Sequence, residues 1–455
     1  MFPFASQPHS AIRWVALAAG LALVATATAA LIAVRQERDY AGHVAAGTAA
    51  LDRGDPASAI ESLSGAIALR PESMLAYFRR GDAYRRRGEL TLALRDLKRA
   101  TELDPTAPRP LELLGDVDMD LKRFASAAER YTAYLARDER APGVLYKLAL
   151  ARWREGSYAP ALASLGEAER LGLTRPELYY LEALCHIGLQ QPREAASLLQ
   201  RAIEANPAFQ EARHELERLW GTLGRPADQM MQLEALVALV PASLPYRLAL
   251  ARTQAVLGQP ASAVATLTRA QERFPASAEL RLALGRLWLD EFDRTHDARH
   301  VTAALDALER AVAAAPSNDS LAELGRAQLA AGRPRTALAT LLDASRLRPV
   351  SSRSDVLLAE AARRTGQRQI ERQALTRATL LEVSDLSPPT RVARLIRLAE
   401  LASQDRDAAG ARQLLLEACD ISLREHLPRA DDLVRALDGA GLSEEARLVE
   451  RATRE

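Results

Sequence analysis

The sequence predicts an all-α solenoid of about eleven helix-turn-helix repeats preceded by one transmembrane helix. Three residue registers share one period. Pro71, Pro105, Pro207, Pro241 and Pro275 are separated by 34, 102, 34 and 34 residues. Ala59, Ala93, Ala127, Ala161 and Ala195 fall at steps of 34, with Ala263 two steps further on. Gly47, Gly81 and Gly115 keep that step, as do Gly54 and Gly88, and Gly156, Gly224 and Gly258 stand at multiples of it. A fixed period of this size describes units too small to bury their own apolar faces, which stack into one continuous core. Function in such an array belongs to a surface.

The first element is a membrane segment. After a flank over residues 1–13, the 21 residues from Trp14 to Val34 carry no charge, and about 20 apolar residues cross a bilayer as a helix. The competing reading is a cleaved leader, with Arg13 as its basic region and Ala27-Thr28-Ala29 as a small-residue site. The apolar run continues past that site through Leu31, Ile32 and Val34, which favours an uncleaved anchor, and no cysteine lies near enough for a lipoprotein. Arg35 and Arg38 after the segment outnumber Arg13 before it, but large domains translocate largely regardless of flanking charge. The expectation is a single-pass bacterial inner-membrane protein with its repeats in the periplasm. About five residues joining Val34 to the first repeat reach roughly 17 Å, which keeps the first repeats near the headgroups. Residues 76–100 hold eight basic and three acidic residues, net +5. Attraction to anionic lipid is worth about 1 kcal/mol per basic residue near a surface; an ordinary solvated helix face is the plainer reading.

The repeat unit is clearest over residues 74–107. With Met74 as position 1, Tyr77, Gly81 and Tyr84 (positions 4, 8 and 11) and Ala93, Leu97 and Ala100 (20, 24 and 27) form two apolar stripes at helical spacing, with Gly88 turning between them. Pro105 at position 32 ends the second helix by removing a backbone donor. This pattern resembles the tetratricopeptide repeat (TPR), and the resemblance implies a right-handed superhelix. It covers residues 40–351 in about nine units beginning near 40, 74, 108, 142, 176, 210, 244, 278 and 318. Residues 352–455 keep Gly366, Ala378, Ala411 and Ala418 but lose the closing prolines, as expected of degenerate repeats forming a cap.

Composition fits an interaction surface without nucleic acid. Sixty basic residues balance 59 acidic ones for a net charge of +1, so there is no electrostatic footprint for nucleic acid. Only Lys98, Lys122 and Lys147 are lysines, a bias that fits a GC-rich bacterial genome. Cys185 and Cys419 lie six repeats apart, too far for a disulfide, which needs α-carbons within about 7 Å. They are expected as free buried thiols.

No phosphate loop, paired CxxC, HExxH or nucleophile elbow occurs, so the chain reads as a non-enzyme without cofactor. The interval from Pro275 to Pro316 is 41 residues, seven longer than the period. His296 and His300 within this insertion are four apart and, on one helix, share a face where a metal could sit; a polar interhelix loop explains them equally well. The resemblance further implies that positions 2, 5, 9 and 12 of each first helix line a concave ligand groove. Position 9 runs Thr48, Asp82, Asp116, Leu150, Leu184, Arg218, Arg252, Arg286, Arg326 and Glu360. Acids come first, then an apolar pair, then four arginines. The apolar stretch widens to Tyr146, Leu150 and Trp153 in repeat four and Tyr180, Leu184 and Ile187 in repeat five. A contiguous apolar stripe facing water marks a binding surface; burial against neighbouring helices is the bland reading, and for the arginines it is family habit. The family's chaperone-tail clamp, with lysine at position 5 and asparagine at position 9, is missing from repeats one to ten. The expected partner is a protein with an acidic extended segment and an apolar anchor, bound by a scaffold of the cell envelope that serves polysaccharide or other envelope biogenesis. The alternative is a glycan-guiding solenoid for an acidic polysaccharide.

Overall fold

The computed structural model describes residues 9–349, 351–381, 387–427 and 430–453; the first eight residues of the expected flank lie outside them. Contacts divide the chain into two compact units, residues 1–219 and 220–455. The first contains α1 (His9–Asp52), α2 (Pro56–Leu69), α3 (Met74–Arg86), α4 (Leu90–Leu103), α5 (Arg109–Asp120), α6 (Phe124–Leu135), α7 (Pro142–Glu155), α8 (Tyr158–Arg170), α9 (Pro176–Gly188) and α10 (Pro192–Ala205). The boundary falls within α11 (Gln210–Thr222). The second contains α12 (Pro226–Leu239), α13 (Leu244–Val256), α14 (Pro260–Arg273), α15 (Ala278–Thr295), α16 (Ala298–Ala314), α17 (Asn318–Ala330), α18 (Pro334–Arg346), α19 (Ser352–Thr365), α20 (Arg368–Leu381), α21 (Pro388–Gln404), α22 (Ala408–Arg424), α23 (Asp431–Gly439) and α24 (Ser443–Ala452). The described residues contain no strand. Among the described residues, consecutive helices pair as five hairpins in the first unit, α1 with α2 to α9 with α10, and six in the second, α13 with α14 to α23 with α24. The last pair has nine and ten residues and is too short to carry the 34-residue signature.

Each register in the sequence has its own physical cause. The position-20 alanines Ala59, Ala93, Ala127, Ala161, Ala195 and Ala263 are all completely buried, where two helices cross too closely for a larger side chain. The position-8 glycines answer position 24 of the partner helix: a Cβ on Gly81 would stand 2.7 Å from Leu97, and one on Gly115 would stand 2.5 Å from the Tyr131 ring. Position 15 is left-handed at every clear turn. Gly54, Gly88, Gly156, Gly224, Gly258, Gly332 and Gly366 have φ between 64° and 88°, a conformation glycine adopts without steric cost. Where glycine is missing, Lys122 and Gln190 take the same conformation with φ of 59° and 58°. Proline opens the second helix at Pro56, Pro192, Pro226, Pro260 and Pro334, a place where its missing N–H costs no helical bond.

Two expectations are corrected. No linker separates the apolar segment from the repeats, because α1 runs unbroken from His9 to Asp52 and supplies the first helix of repeat one. From Glu37 onward it is clamped to its hairpin. Arg70 pairs with Glu37 and lies 4.3 Å from the Tyr40 ring, and Tyr40 Oη is 2.6 Å from Ser73 Oγ. The seven-residue insertion is also not a loop. It lengthens α15 to 18 residues and α16 to 17, leaving only His296 and Asp297 between them.

Leu17–Asp52 is long and apolar enough to cross a membrane, and none of its apolar window is buried. Trp14, Leu17, Leu21, Leu23, Val24, Leu31, Ile32 and Val34 all face outward. The hydroxyls of Thr26 and Thr28 donate to helix carbonyls, Leu23 O at 2.9 Å and Val24 O at 2.8 Å. That is how a hydroxyl is satisfied without water.

Candidate partner-binding grooves

In the first unit, Tyr146, Leu150 and Trp153 on α7 are half-buried and pack against a core containing Leu145, Ala149, Leu165, Leu178 and Leu181. Tyr180, Leu184 and Ile187 on α9 are likewise half-buried. The ring faces are partly taken. Arg175 lies 4.0 Å over Tyr146, Arg154 lies 4.8 Å from the Trp153 ring, and Tyr180 meets Phe209 with centroids 5.2 Å apart. Burial raises both tyrosine hydroxyls, and Glu215 and Glu211 raise that of Tyr180 further. This stripe is therefore a half-packed apolar wall with little free ring surface for a sugar to stack on.

The acids that open the position-9 series are already engaged. Asp82 pairs with Arg86 at 2.9 Å. Asp116 accepts from Tyr131 Oη at 2.8 Å and from Lys147 Nζ at 2.9 Å, and Lys147 also reaches Glu112 at 2.7 Å. Against the desolvation of its burial, Glu112 and Asp116 hold the Lys147 ammonium above its ordinary range. Several basic residues of repeat two are similarly spent: Arg80 on buried Asp96, Arg85 on Asp120, Arg87 on Glu89 and Arg99 on Glu102.

The four arginines at position 9 do not form one uniform field. Arg218 belongs to the first unit and is exposed, paired with Glu215 on its own helix at 2.7 Å. In the second unit, Arg286 on α15 pairs with Asp319 and, at 3.1 Å, with Glu323 of α17. Arg326 on α17 reaches back to Asp290 at 3.0 Å and to Asp293 on α15, and to Glu323 at 3.5 Å. Arg353 on α19 adds a third cation to Glu323 at 3.0 Å. Glu323 is completely buried, so this network holds α15, α17 and α19 together. Although burial opposes it, bonding to Asp293 and Asp290 raises the Arg326 guanidinium above its ordinary range. Sequence reasoning took position 9 alone and missed the acids at Asp290, Asp293, Asp319 and Glu323. The i,i+4 pair Asp319/Glu323 was their visible signal.

Arg252 differs. It is exposed on α13 and makes no ion pair among the described residues. It stands at the rim of a cavity of about 730 Å³ between α13 and α15, floored by Leu248, Ala251, Ala255, Leu282, Ala283 and Leu287. Arg286, Arg294, Glu279, Asp290, Glu291 and Asp319 also line the cavity, with Arg286 paired to Asp319 and Arg294 to Glu291, and Val256 lines it while remaining largely exposed.

The histidine pair is a correction. His296 ends α15 in a left-handed conformation, φ 56°, while His300 lies within α16, so they do not share a helical face. His300 stacks on Trp288 at 5.4 Å with its Nδ1 3.0 Å from Thr295 Oγ1, and His296 meets Phe292 edge-on at 6.0 Å. No group of three or more metal-ligating side chains occurs among the described residues. Cys185 and Cys419 are free and buried. Burial, then the charge of Glu182, raises the Cys185 thiol to about 12.

A family profile described as tetratricopeptide repeat matches residues 44–108, 113–172, 248–319 and 322–379, and a second profile of the same description matches 176–209. The first covers more than half of the chain, which therefore belongs to the tetratricopeptide repeat family. Among curated proteins, the chain is similar to DnaJ homolog subfamily C member 3 of Gallus gallus, 26% identical over 190 residues, or 38% of this chain and 37% of that protein. The chain thus spans well under half the length of this relative. Among solved structures, it is similar to the C-terminal part of a TPR repeat-containing protein from Cytophaga hutchinsonii (16% identity, 62% of this chain and 99% of that one, TM-score 0.44). It is also similar to Pseudomonas aeruginosa pilF (20% identity, 47% and 96%, TM-score 0.40). A third likeness is to a tetratricopeptide repeat protein from Parabacteroides merdae (17% identity, 52% and 93%, TM-score 0.42). Repeats of this family are typically non-catalytic scaffolds that bind protein partners.

Proposed function

We propose that the chain is a membrane-anchored scaffold of a bacterial cell envelope that captures a protein partner in the cleft between α13 and α15. The observation that carries this reading is the apolar cavity of about 730 Å³ with Arg252 unpaired at its rim. An apolar floor takes a large aliphatic or aromatic side chain, since burying one is worth about 1.5–3 kcal/mol. An exposed guanidinium beside it selects a nearby carboxylate by a bidentate bond. Because Arg286 and Arg326 are already neutralised within the protein, the acidic feature of the partner is a single carboxylate beside an apolar anchor. The half-packed wall of Tyr146, Leu150, Trp153, Tyr180, Leu184 and Ile187 supplies a second apolar surface in the first unit.

Trp14–Val34 is proposed as the anchor, with the repeats periplasmic. On this reading the Arg86 end of repeat two stands clear of the lipid, while its first residues, held beside Tyr40 through Ser73, lie only about 9 Å beyond Val34. Arg86 Nη1 donates to Leu51 O at 3.0 Å, and Leu51 lies about 25 Å beyond Val34 along a helix rising 1.5 Å per residue. A typical tilt of about 20° shortens this by less than about 2 Å. The headgroup layer of roughly 5–8 Å and a Debye length of about 8 Å together fall short of that height. The test is affinity capture from envelope extracts with full-length protein in detergent. Arg252→Glu and Val256→Asp are both exposed and should each lose the same partner while leaving thermal stability unchanged. Retention of every wild-type partner by both variants removes the cleft as the binding site. Binding of anionic oligosaccharides that is weakened equally by Arg252→Glu would favour the glycan reading instead.

A further inference from the structure

Position 7 of the first helix is a core leucine in most repeats: Leu114, Leu148, Leu216, Leu250, Leu284, Leu324 and Leu358 are all buried. In repeat five that position is Glu182 on α9, buried at 8% exposure with its carboxyl oxygens keeping some contact with solvent. It makes no hydrogen bond or ion pair among the described residues. The charged groups acting on it come from the helices on either side, Glu169 of α8 and Arg201 of α10, and those two already pair with each other at 3.2 Å. Arg201 also lies 4.1 Å over the Tyr179 ring. On its own helix the neighbouring titratable groups are Tyr179, Cys185 and His186, at i−3, i+3 and i+4; Cys185 feels the charge of Glu182, and His186 Nδ1 lies 2.7 Å from Gln191 Oε1. From α7, which also touches α9, no charge acts on it, and Glu211, Glu215 and Arg218 act on Tyr180 instead. Two carboxyls and one guanidinium thus lie across three successive helices, with the central carboxyl in a leucine's place.

We propose that Glu182, Glu169 and Arg201 form a proton-operated latch across α8, α9 and α10 that sets how firmly repeat five is packed. Protonated, Glu182 is neutral and fills the leucine position. Ionised, it is a buried charge that competes with Glu169 for Arg201 and loosens α9 from its neighbours. The same helix carries Tyr180, Leu184 and Ile187 on its groove face, so proton uptake firms that part of the apolar wall. The latch itself stands on the burial of Glu182 and is independent of what occupies either groove. Desolvation, and secondarily Glu169, raises the Glu182 carboxyl from 4.5 to about 7, against the opposing pull of Arg201. With the folded value above the ordinary one, stabilisation by the neutral carboxyl is complete below about pH 4.5. It is lost as the pH climbs toward 7 and changes little above that.

Hydrogen exchange resolved by segment, on the full chain in lipid nanodiscs from pH 5 to 8 and corrected for intrinsic rates, tests this. The opening equilibrium of α9 should rise by up to about tenfold per pH unit between about pH 5 and 7, the signature of one proton released on opening, and then level off. Glu182→Leu, which restores the residue other repeats carry, should abolish the slope while the helix stays protected. Glu182→Gln should abolish it as well. Arg201→Gln should extend the rise to higher pH, and Glu169→Gln should end it at lower pH. A flat wild-type profile, a slope that survives in Glu182→Leu, or an equal slope in α13 of the second unit overturns the proposal.

Discussion

Replacing Gly115 by alanine and, separately, Gly166 by alanine makes the same chemical change at two helical sites with opposite surroundings. In both, alanine relieves the helix of glycine's conformational entropy, worth about 1 kcal/mol in a helix interior. At Gly166 on α8 the new methyl meets nothing within 4 Å, so the whole gain is realised. At Gly115 on α5 it would stand 2.5 Å and 2.8 Å from carbons of the Tyr131 ring. That ring cannot retreat easily, because Tyr131 is 1% exposed and its hydroxyl is tied to Asp116 at 2.8 Å. Overpacking of a core costs typically about 1–3 kcal/mol, which exceeds the entropic gain and leaves Gly115→Ala destabilising by about 1 kcal/mol. The two variants should therefore differ by about 2 kcal/mol, in opposite directions from wild type. A repeat array does not unfold as one cooperative unit, so the assay is segment-resolved hydrogen exchange. Gly115→Ala should weaken protection of α5 and α6 by about fivefold, and Gly166→Ala should strengthen that of α8 by a similar factor. If both variants shift protection in the same direction, the close approach of position 8 to position 24 does not explain the glycine register.

Ala127→Leu, at a completely buried helix crossing in repeat three, should cost about 1–3 kcal/mol and lose exchange protection in repeats two to four; uniform loosening along the chain would contradict nearest-neighbour stacking. Glu323→Ala leaves Arg286, Arg326 and Arg353 without their shared buried carboxylate, and removing one partner of a buried ion pair costs about 3–5 kcal/mol. Exchange in α15, α17 and α19 should accelerate sharply, and unchanged protection there would mean the network is structurally idle. A reporter active only in the periplasm, fused after Glu455, should be active, with intact protein retained in membranes after carbonate washing; soluble, shortened protein would remove the anchor.

Chain order alone determines the helix pairs here, since their causes act at fixed spacing within one repeat. A small residue at Ala93 permits the crossing, Gly81 admits Leu97, and Gly88 takes the left-handed turn. Helical geometry converts each of these into a position modulo 34, which a linear chain displays directly. The unbroken helix from the apolar segment into repeat one was also written in the sequence. Arg35–Tyr40 contains no proline or glycine to stop it, and Asp297, a helix-capping residue type, marked the break that parts His296 from His300. Tertiary structure decided the charges. Position 9 names four arginines, but Arg286 and Arg326 are neutralised by acids 33 to 37 residues away, as Asp319 and Glu323 are from Arg286. Those pairings rest on interhelical distance and side-chain direction, which spacing along one chain does not encode. The leucine-site burial of Glu182 was likewise visible as a position, but its proximity to Glu169 and Arg201 required α8 and α10 to close around it.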